Sequence, residues 1–161
     1  MRSNLALSLC ALVLTVSFAG AIDSFKITFF GLSAEQSFAQ MRLRLKRQGF
    51  SESEKPGETG TVDHLFKKAS GEKVLIVTIN GKFLAAHPDR LTFKGTQLRL
   101  GDAQSKLEKT LGSPDEKRKS SEGYELVYDD EKQQVPVSIY VSRELRILKF
   151  ELSPGRFSSI D

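Results

Sequence analysis

The chain has 161 residues, 24 lysines and arginines against 20 acids for a formal net charge of +4, and one cysteine. With 39% hydrophobic residues it has material for a buried core. The mixed charge lacks the strongly basic balance of a nucleic-acid binder, and no RNA- or DNA-binding motif accompanies it. A lone cysteine excludes a disulfide framework and a thiolate metal centre.

In chain order, Met1-Arg2-Ser3-Asn4 is a short positive segment, Leu5 to Phe18 an uncharged apolar run, and Ala19-Gly20-Ala21 a small-x-small cleavage site. This is the pattern of a secretory signal peptide over residues 1–21. The run is shorter than the roughly 20 residues needed to span a bilayer. Cleavage after Ala21 also removes Cys10, which follows Leu9 inside the apolar run and is wrongly placed for lipidation. The expected product is soluble, periplasmic or secreted, and not membrane-spanning.

Ser24 to Phe30 is β-branched and aromatic and reads as a strand. Ser33 with Gln36 fits a capping box, followed by Ala34, Phe38, Met41 and Leu45 as one apolar helical stripe that Gly49 stops. Ser51 to Gly60 is polar, contains Pro56, Gly57 and Gly60, and reads as a loop. Strands are expected at Thr61 to Lys68 and Lys73 to Ile79. Asn80-Gly81 is a hairpin turn, with Lys82 to Ala86 pairing back. His87-Pro88-Asp89 breaks the pattern and divides a first unit (22–87) from a second (88–161).

The second unit opens with Leu91 to Phe93 and Leu98 to Leu100 around Lys94-Gly95-Thr96. Asp102 is the expected N-cap of a helix that buries Ala103, Leu107 and Leu111 and ends at Gly112 before Pro114. Asp115 to Glu122 reads as a loop. Strands follow at Tyr124 to Tyr128, Val135 to Val141 and Arg146 to Leu152, with Pro136 at an edge or entry position. Both units run strand, cap, helix, glycine stop, polar loop and strand meander. The expected fold class is therefore α+β, a tandem duplication of a helix packed on an antiparallel sheet meander.

The phrase Leu100-Gly101-Asp102, Leu107 and Leu111-Gly112-Ser113-Pro114-Asp115, with Tyr124 and Tyr128 in the strands after it, resembles the SmpA/OmlA (BamE-like) outer-membrane assembly lipoproteins. It is also similar to the β-lactamase-inhibitor-protein-like domains. The resemblance covers about residues 98–152. It implies a helical unit packed on a curved antiparallel sheet, sometimes in tandem, and function by binding another protein without catalysis. The chain departs from the lipoproteins in lacking an acceptor cysteine after its apolar run.

No constellation of catalytic residues assembles from the sequence. His64, on one strand face with Val62 and Phe66, reads as packed or edge histidine in preference to a metal ligand, and His87-Pro88-Asp89 as a turn. Ser33 and Ser105 sit outside any nucleophile elbow. Asp129-Asp130-Glu131 lacks the spaced oxygens of a calcium loop and reads as a solvated hairpin. The expectation is no enzyme, no metal and no cofactor, and a partner that is another envelope or secreted protein. The candidate partner-binding residues are Arg42, Leu43, Arg44, Lys46 and Arg47, an apolar residue ringed by cations opposite the helix's buried stripe. The alternatives are a solvated charged face, a surface for anionic lipid or glycan, or a hydrolase whose site assembles only in space. Phe66, Phe83, Tyr124, Tyr128 and Tyr140 are candidates for a concave binding surface or for core.

Overall fold

The computed structural model describes residues 27–128 and 137–154. The signal peptide, Cys10, the first residues of the Ser24 strand, the Asp129 hairpin and Pro136 lie outside the described residues.

Thr28 exchanges backbone hydrogen bonds with Thr92 (2.9 and 2.8 Å), which buries Ile27 and Phe29 completely. Helix α1 (Phe38–Arg47) then starts one turn later than the sequence implies. Ser37 is the N-cap: its hydroxyl accepts from Gln40 N–H (3.4 Å) while the Gln40 side chain accepts from Ser37 N–H (3.1 Å). The expected Ser33–Gln36 pair forms only half of such a box, in the turn before it: the Gln36 side chain accepts from Ser33 N–H (3.3 Å), but the Ser33 hydroxyl accepts from Glu35 N–H (3.2 Å) and Gln36 N–H bonds the Ser33 carbonyl. Ser37→Ala is therefore expected to lower stability by about 1 kcal/mol, read as a drop in thermal midpoint, and Ser33→Ala by less. Ala34, Phe38, Met41 and Leu45 are all buried, as the periodicity predicts. At the helix end Gly49 N–H bonds the Lys46 carbonyl and Phe50 N–H bonds the Leu45 carbonyl. This Schellman arrangement folds Phe50 back onto Phe30 in an edge-to-face pair, 5.0 Å between centroids.

The chain continues as β1 (Ser51–Pro56), a 3-10 turn (Glu58–Gly60), β2 (Thr61–Lys67), β3 (Lys73–Ile79) and β4 (Lys82–Pro88). Then come the hairpin β5 (Arg90–Phe93) and β6 (Thr96–Arg99), helix α2 (Gln104–Leu111), β7 (Glu116–Lys119), β8 (Gly123–Tyr128), β9 (Val137–Ser142) and β10 (Ile147–Leu152). Asn80-Gly81 and Lys94-Gly95 are two-residue turns with both residues at positive φ, matching the twist of the strands they join. The N-cap of α2 is Ala103, not Asp102. Asp102 faces back instead, accepting from Arg99 N–H (2.8 Å) and Lys106 (2.7 Å), which lowers its pKa against the opposing effect of burial.

The expected α+β class with a tandem duplication of a helix packed on a sheet is corrected by the structure. Over the described residues the fold is mostly β: one continuous eight-stranded antiparallel sheet in the order β1-β2-β3-β4-β10-β9-β8-β7, a separate two-stranded hairpin, and two short α-helices. Two physical causes lie behind the difference. The segments read as polar loops, Ser51 to Gly60 and Asp115 to Glu122, contain the two edge strands β1 and β7, whose side chains are almost all exposed and carry no apolar alternation. The pairing of β10 with β4 (Leu152 opposite Ala86) then joins strands far apart in sequence into a single sheet. His87-Pro88 is likewise not a turn but the last part of β4.

One face of the sheet carries Phe66, Val74, Ile76, Ala86, Leu126, Ile139, Phe150 and Leu152, all without exposure, and forms one core with the helix stripes. Of the five aromatics considered for a binding surface, Phe66 and Tyr128 are core, and Phe83 and Tyr124 pack against it. Tyr140 stands on the other face, its hydroxyl donating to Glu125 (3.4 Å).

Candidate functional site

The five cationic-face residues of α1 divide into two groups. Arg42 and Lys46 turn down onto β1. Arg42 Nε donates to Glu52 (2.7 Å), its terminal nitrogen to Glu54 (2.8 Å), and Lys46 pairs with Glu52 (2.9 Å). Leu43, 52% exposed, and Arg44 and Arg47 stay at the surface, and neither arginine forms a salt bridge among the described residues. Three of the five candidate residues thus stand exposed on the helix, and two are turned into contacts with β1.

Beneath Arg42 lies His64, buried on β2. Its ring packs on Phe38 (4.3 Å between centroids), Nδ1 lies 3.2 Å from Glu52, and Nε2 lies 3.1 Å from the Thr78 hydroxyl. Glu52, Glu54 and His64 bring ligand-type atoms within 4.8 Å of one another. Both carboxylates already accept from Arg42 or Lys46, so the cluster is a neutralised ion-pair network. Burial pushes the Glu52 carboxyl upward, but the hydrogen bonds and charges of Lys46 and Arg42 outweigh it, and the group titrates below the ordinary carboxylate range. Sequence reasoning missed Glu52 and Glu54 because their strand was read as loop. The alternation of Ser51, Glu52, Ser53 and Glu54 was the available signal.

A second site lies on the sheet face away from the helices. Leu65, Leu75 and His87 stand on neighbouring strands in one cross-strand row. With Lys73, Pro88, Asp89 and Leu100 they line a hollow of about 200 Å³. Asp89 and Leu100 also border a larger one of about 450 Å³, which Ser70, Glu72, Arg90 and Arg99 complete. The two form one groove, apolar at one end and charged at the other. Glu72 is neutralised by Arg90 (2.5 Å). Arg99 gives its guanidinium hydrogen bonds to the amide oxygen of Gln97 (2.9 and 2.6 Å), and neither it nor Lys73 forms a salt bridge among the described residues.

Asp89 Oδ2 accepts from Lys73 N–H (3.0 Å), while its buried Oδ1 has no partner among the described residues. Such an orphan acceptor costs about 1–3 kcal/mol and is the kind of local imperfection found at functional positions. Burial, with Lys149 nearby, holds His87 below its ordinary pKa, so it is neutral at pH 7. The groove does not assemble a catalytic relay: the Ser70 hydroxyl donates to Glu72 (2.9 Å), and His87 Nδ1 faces the Phe150 carbonyl (3.3 Å).

Neither a family model nor a curated protein matches the chain. Among solved structures, an extracellular protein containing a SCP domain from Bacillus anthracis is similar at a TM-score of 0.48 and 9% identity, over 79% of this chain and 48% of that one. The chain thus spans about half the length of that protein. Among the described residues no helix is long and apolar enough to cross a membrane.

Proposed function

We propose that this chain is an exported, soluble, non-enzymatic module that binds another envelope or secreted protein through the groove on its outer sheet face. The observation that carries the reading is the groove itself. An apolar floor of Leu65, Leu75 and Leu100 adjoins Lys73 and Arg99, neither of which forms a salt bridge among the described residues. Apolar hollows with a few directed polar groups are the usual form of a recognition site. Export is supported by the signal-peptide pattern of residues 1–21. The resemblance to the SmpA/OmlA and β-lactamase-inhibitor-protein-like domains agrees with a binding role. The alternative, an anionic lipid or glycan surface on α1, has less support, because Arg42 and Lys46 are held by Glu52 and Glu54.

The test is photo-crosslinking in producing cells with a photoreactive residue at position 75 or at position 43. A discrete protein adduct from position 75 that Arg99→Glu suppresses is the expected result. Adducts from position 43 alone would move the interface to α1, and no adduct from either would overturn the reading.

A further inference from the structure

Among the described residues the sheet ends on one side at β7, with no strand beyond it. β7 pairs only with β8, with Lys117 opposite Leu126, Arg118 opposite Glu125 and Lys119 opposite Tyr124. All four of its residues are exposed, and no described strand lies on its outer side. Ser120 N–H donates to the Gly123 carbonyl (3.0 Å), which makes that pair a hydrogen-bonded one. Antiparallel alternation then leaves the N–H and C=O groups of Lys117 and Lys119 pointing away from β8. The residues that offer the unpaired ladder are therefore the two lysines of the strand, while Arg118 faces β8 with its backbone.

The side chains reinforce that edge. Lys117 and Lys119 stand on the same face as Tyr124, with the Lys117 ammonium 4.0 Å from the Tyr124 ring centroid. A hollow of about 220 Å³ at the end of the strand is lined by Lys119, Ser120, Gly123, Tyr124 and Arg143. Lys117, Lys119 and Arg143 form no salt bridge among the described residues, whereas Arg118, on the opposite face, is already engaged by Glu116 and Glu125. Two cations without a salt bridge among the described residues, Lys117 and Lys119, and a tyrosine ring thus lie on one face of the edge, and Arg143, from the turn after β9, borders the hollow at its end. The other edge of the sheet differs: β1 carries Glu52 and Glu54, both held by α1, and ends in Pro56, which has no N–H to offer.

We propose that β7 is a docking edge for an extended acidic peptide of a partner protein, which adds a ninth strand and places carboxylates at alternate positions beside Lys117 and Lys119. Main-chain hydrogen bonds hold such a strand and side chains at alternate positions select it. Cross-strand opposite-charge pairs add to the selection. Cations on an edge strand also serve to keep sheets from joining edge to edge, and the measurement below separates the two roles. The inference rests on the protein-binding reading above but uses a different surface, so either can fail alone.

The experiment is fluorescence anisotropy of the purified chain with a labelled octapeptide in which glutamate alternates with threonine and valine. Its comparison is the same peptide N-methylated at alternate residues so that it cannot join a ladder. Saturable binding is expected, weakened about tenfold or more by methylation and by Lys117→Glu with Lys119→Glu, and weakened by salt. Lys67→Glu with Lys82→Glu, an equal charge change at exposed positions of β2 and β4, is expected to leave it unchanged. Equal binding of the methylated peptide, equal loss in that control variant, or no binding overturns the proposal. So does concentration-dependent self-association of the chain that Lys117→Glu with Lys119→Glu abolishes, since the occupant would then be a second copy.

Discussion

Gly123→Ala is expected to lower stability by about 3 kcal/mol or more, toward the upper end of what overpacking produces, and to reduce the thermal midpoint by about 10 °C or more. A Cβ at this position would lie 2.2 Å from the Val141 carbonyl oxygen, 2.7 Å from the Ser142 carbonyl carbon and 2.9 Å from Arg143 N. All three are backbone atoms of the strand with which Gly123 pairs or of the turn after it, so no side chain can rotate away to make room. The relief available is to part β8 from β9 where the sheet leads out to β7. Gly71→Ala is the control. It also has positive φ, but nothing lies within 4 Å of the added carbon, so it carries only the backbone strain, about 1 kcal/mol. Thermal melts of the two variants by circular dichroism separate crowding from strain. Equal midpoints would show that the close approach at Gly123 relaxes freely.

The strands legible in the sequence are those with one wet and one dry face. Lys73 to Ile79 buries Val74, Ile76 and Thr78 in alternation, and the reading of that segment carried over to the structure residue for residue. The apolar stripe of α1, and Leu107 and Leu111 of α2, were legible for the same reason: burial imposes a period, and the period is written in the residues, whereas the expected Ala103 is the half-buried N-cap of α2. The edge strands were not legible. Glu116 to Lys119 has four exposed residues and Ser51 to Pro56 five of six, so burial imposes no pattern on either. Their pairing is enforced by the ladder from the neighbouring strand, which local composition does not record.

The same blindness hid the charge network, since Glu52 and Glu54 acquire meaning only when β1 lies beside His64. The helix starts were displaced because serine and aspartate cap turns as readily as helices. Ser33 and Asp102 do make local hydrogen bonds, but to the turns that precede each helix. The closure of the sheet by Leu152 opposite Ala86 is a contact between distant segments with no local signature. The groove depends on it indirectly, because His87 is set beside Phe150 and Glu151 by that pairing.

Removing both cations that hold Glu52, by Arg42→Ala with Lys46→Ala, is expected to lower stability at neutral pH by about 3–5 kcal/mol, the usual cost of stranding one partner of a buried ion pair. The Glu52 side chain is only 5% exposed, whereas Arg42 and Lys46 are 41% and 51% exposed. The asymmetry matters: the cations can return to water, but the carboxylate cannot. It would be left against His64, whose Nδ1 would be its remaining close partner among the described residues. Glu52→Gln in the same background should recover most of the loss, because a neutral amide removes the stranded charge while keeping the shape.

The pH dependence supplies a sharper readout. In the native chain the folded pKa of Glu52 lies below its ordinary value of 4.5. Its contribution is therefore fully present above pH 4.5 and is lost as pH falls through the lower folded value. Without Arg42 and Lys46, burial acts with no opposing hydrogen bond or cation from the helix, and the folded pKa moves above the unfolded one. The sign of this group's contribution then reverses, and acidification from neutrality toward pH 4.5 should stabilise the double variant relative to the native chain. Chemical denaturation at pH 7 and pH 5 reads both effects. A gap between variant and native chain that stays constant over that range would mean that Glu52 finds water once the cations are gone, and that the network is a surface feature and not a buried one.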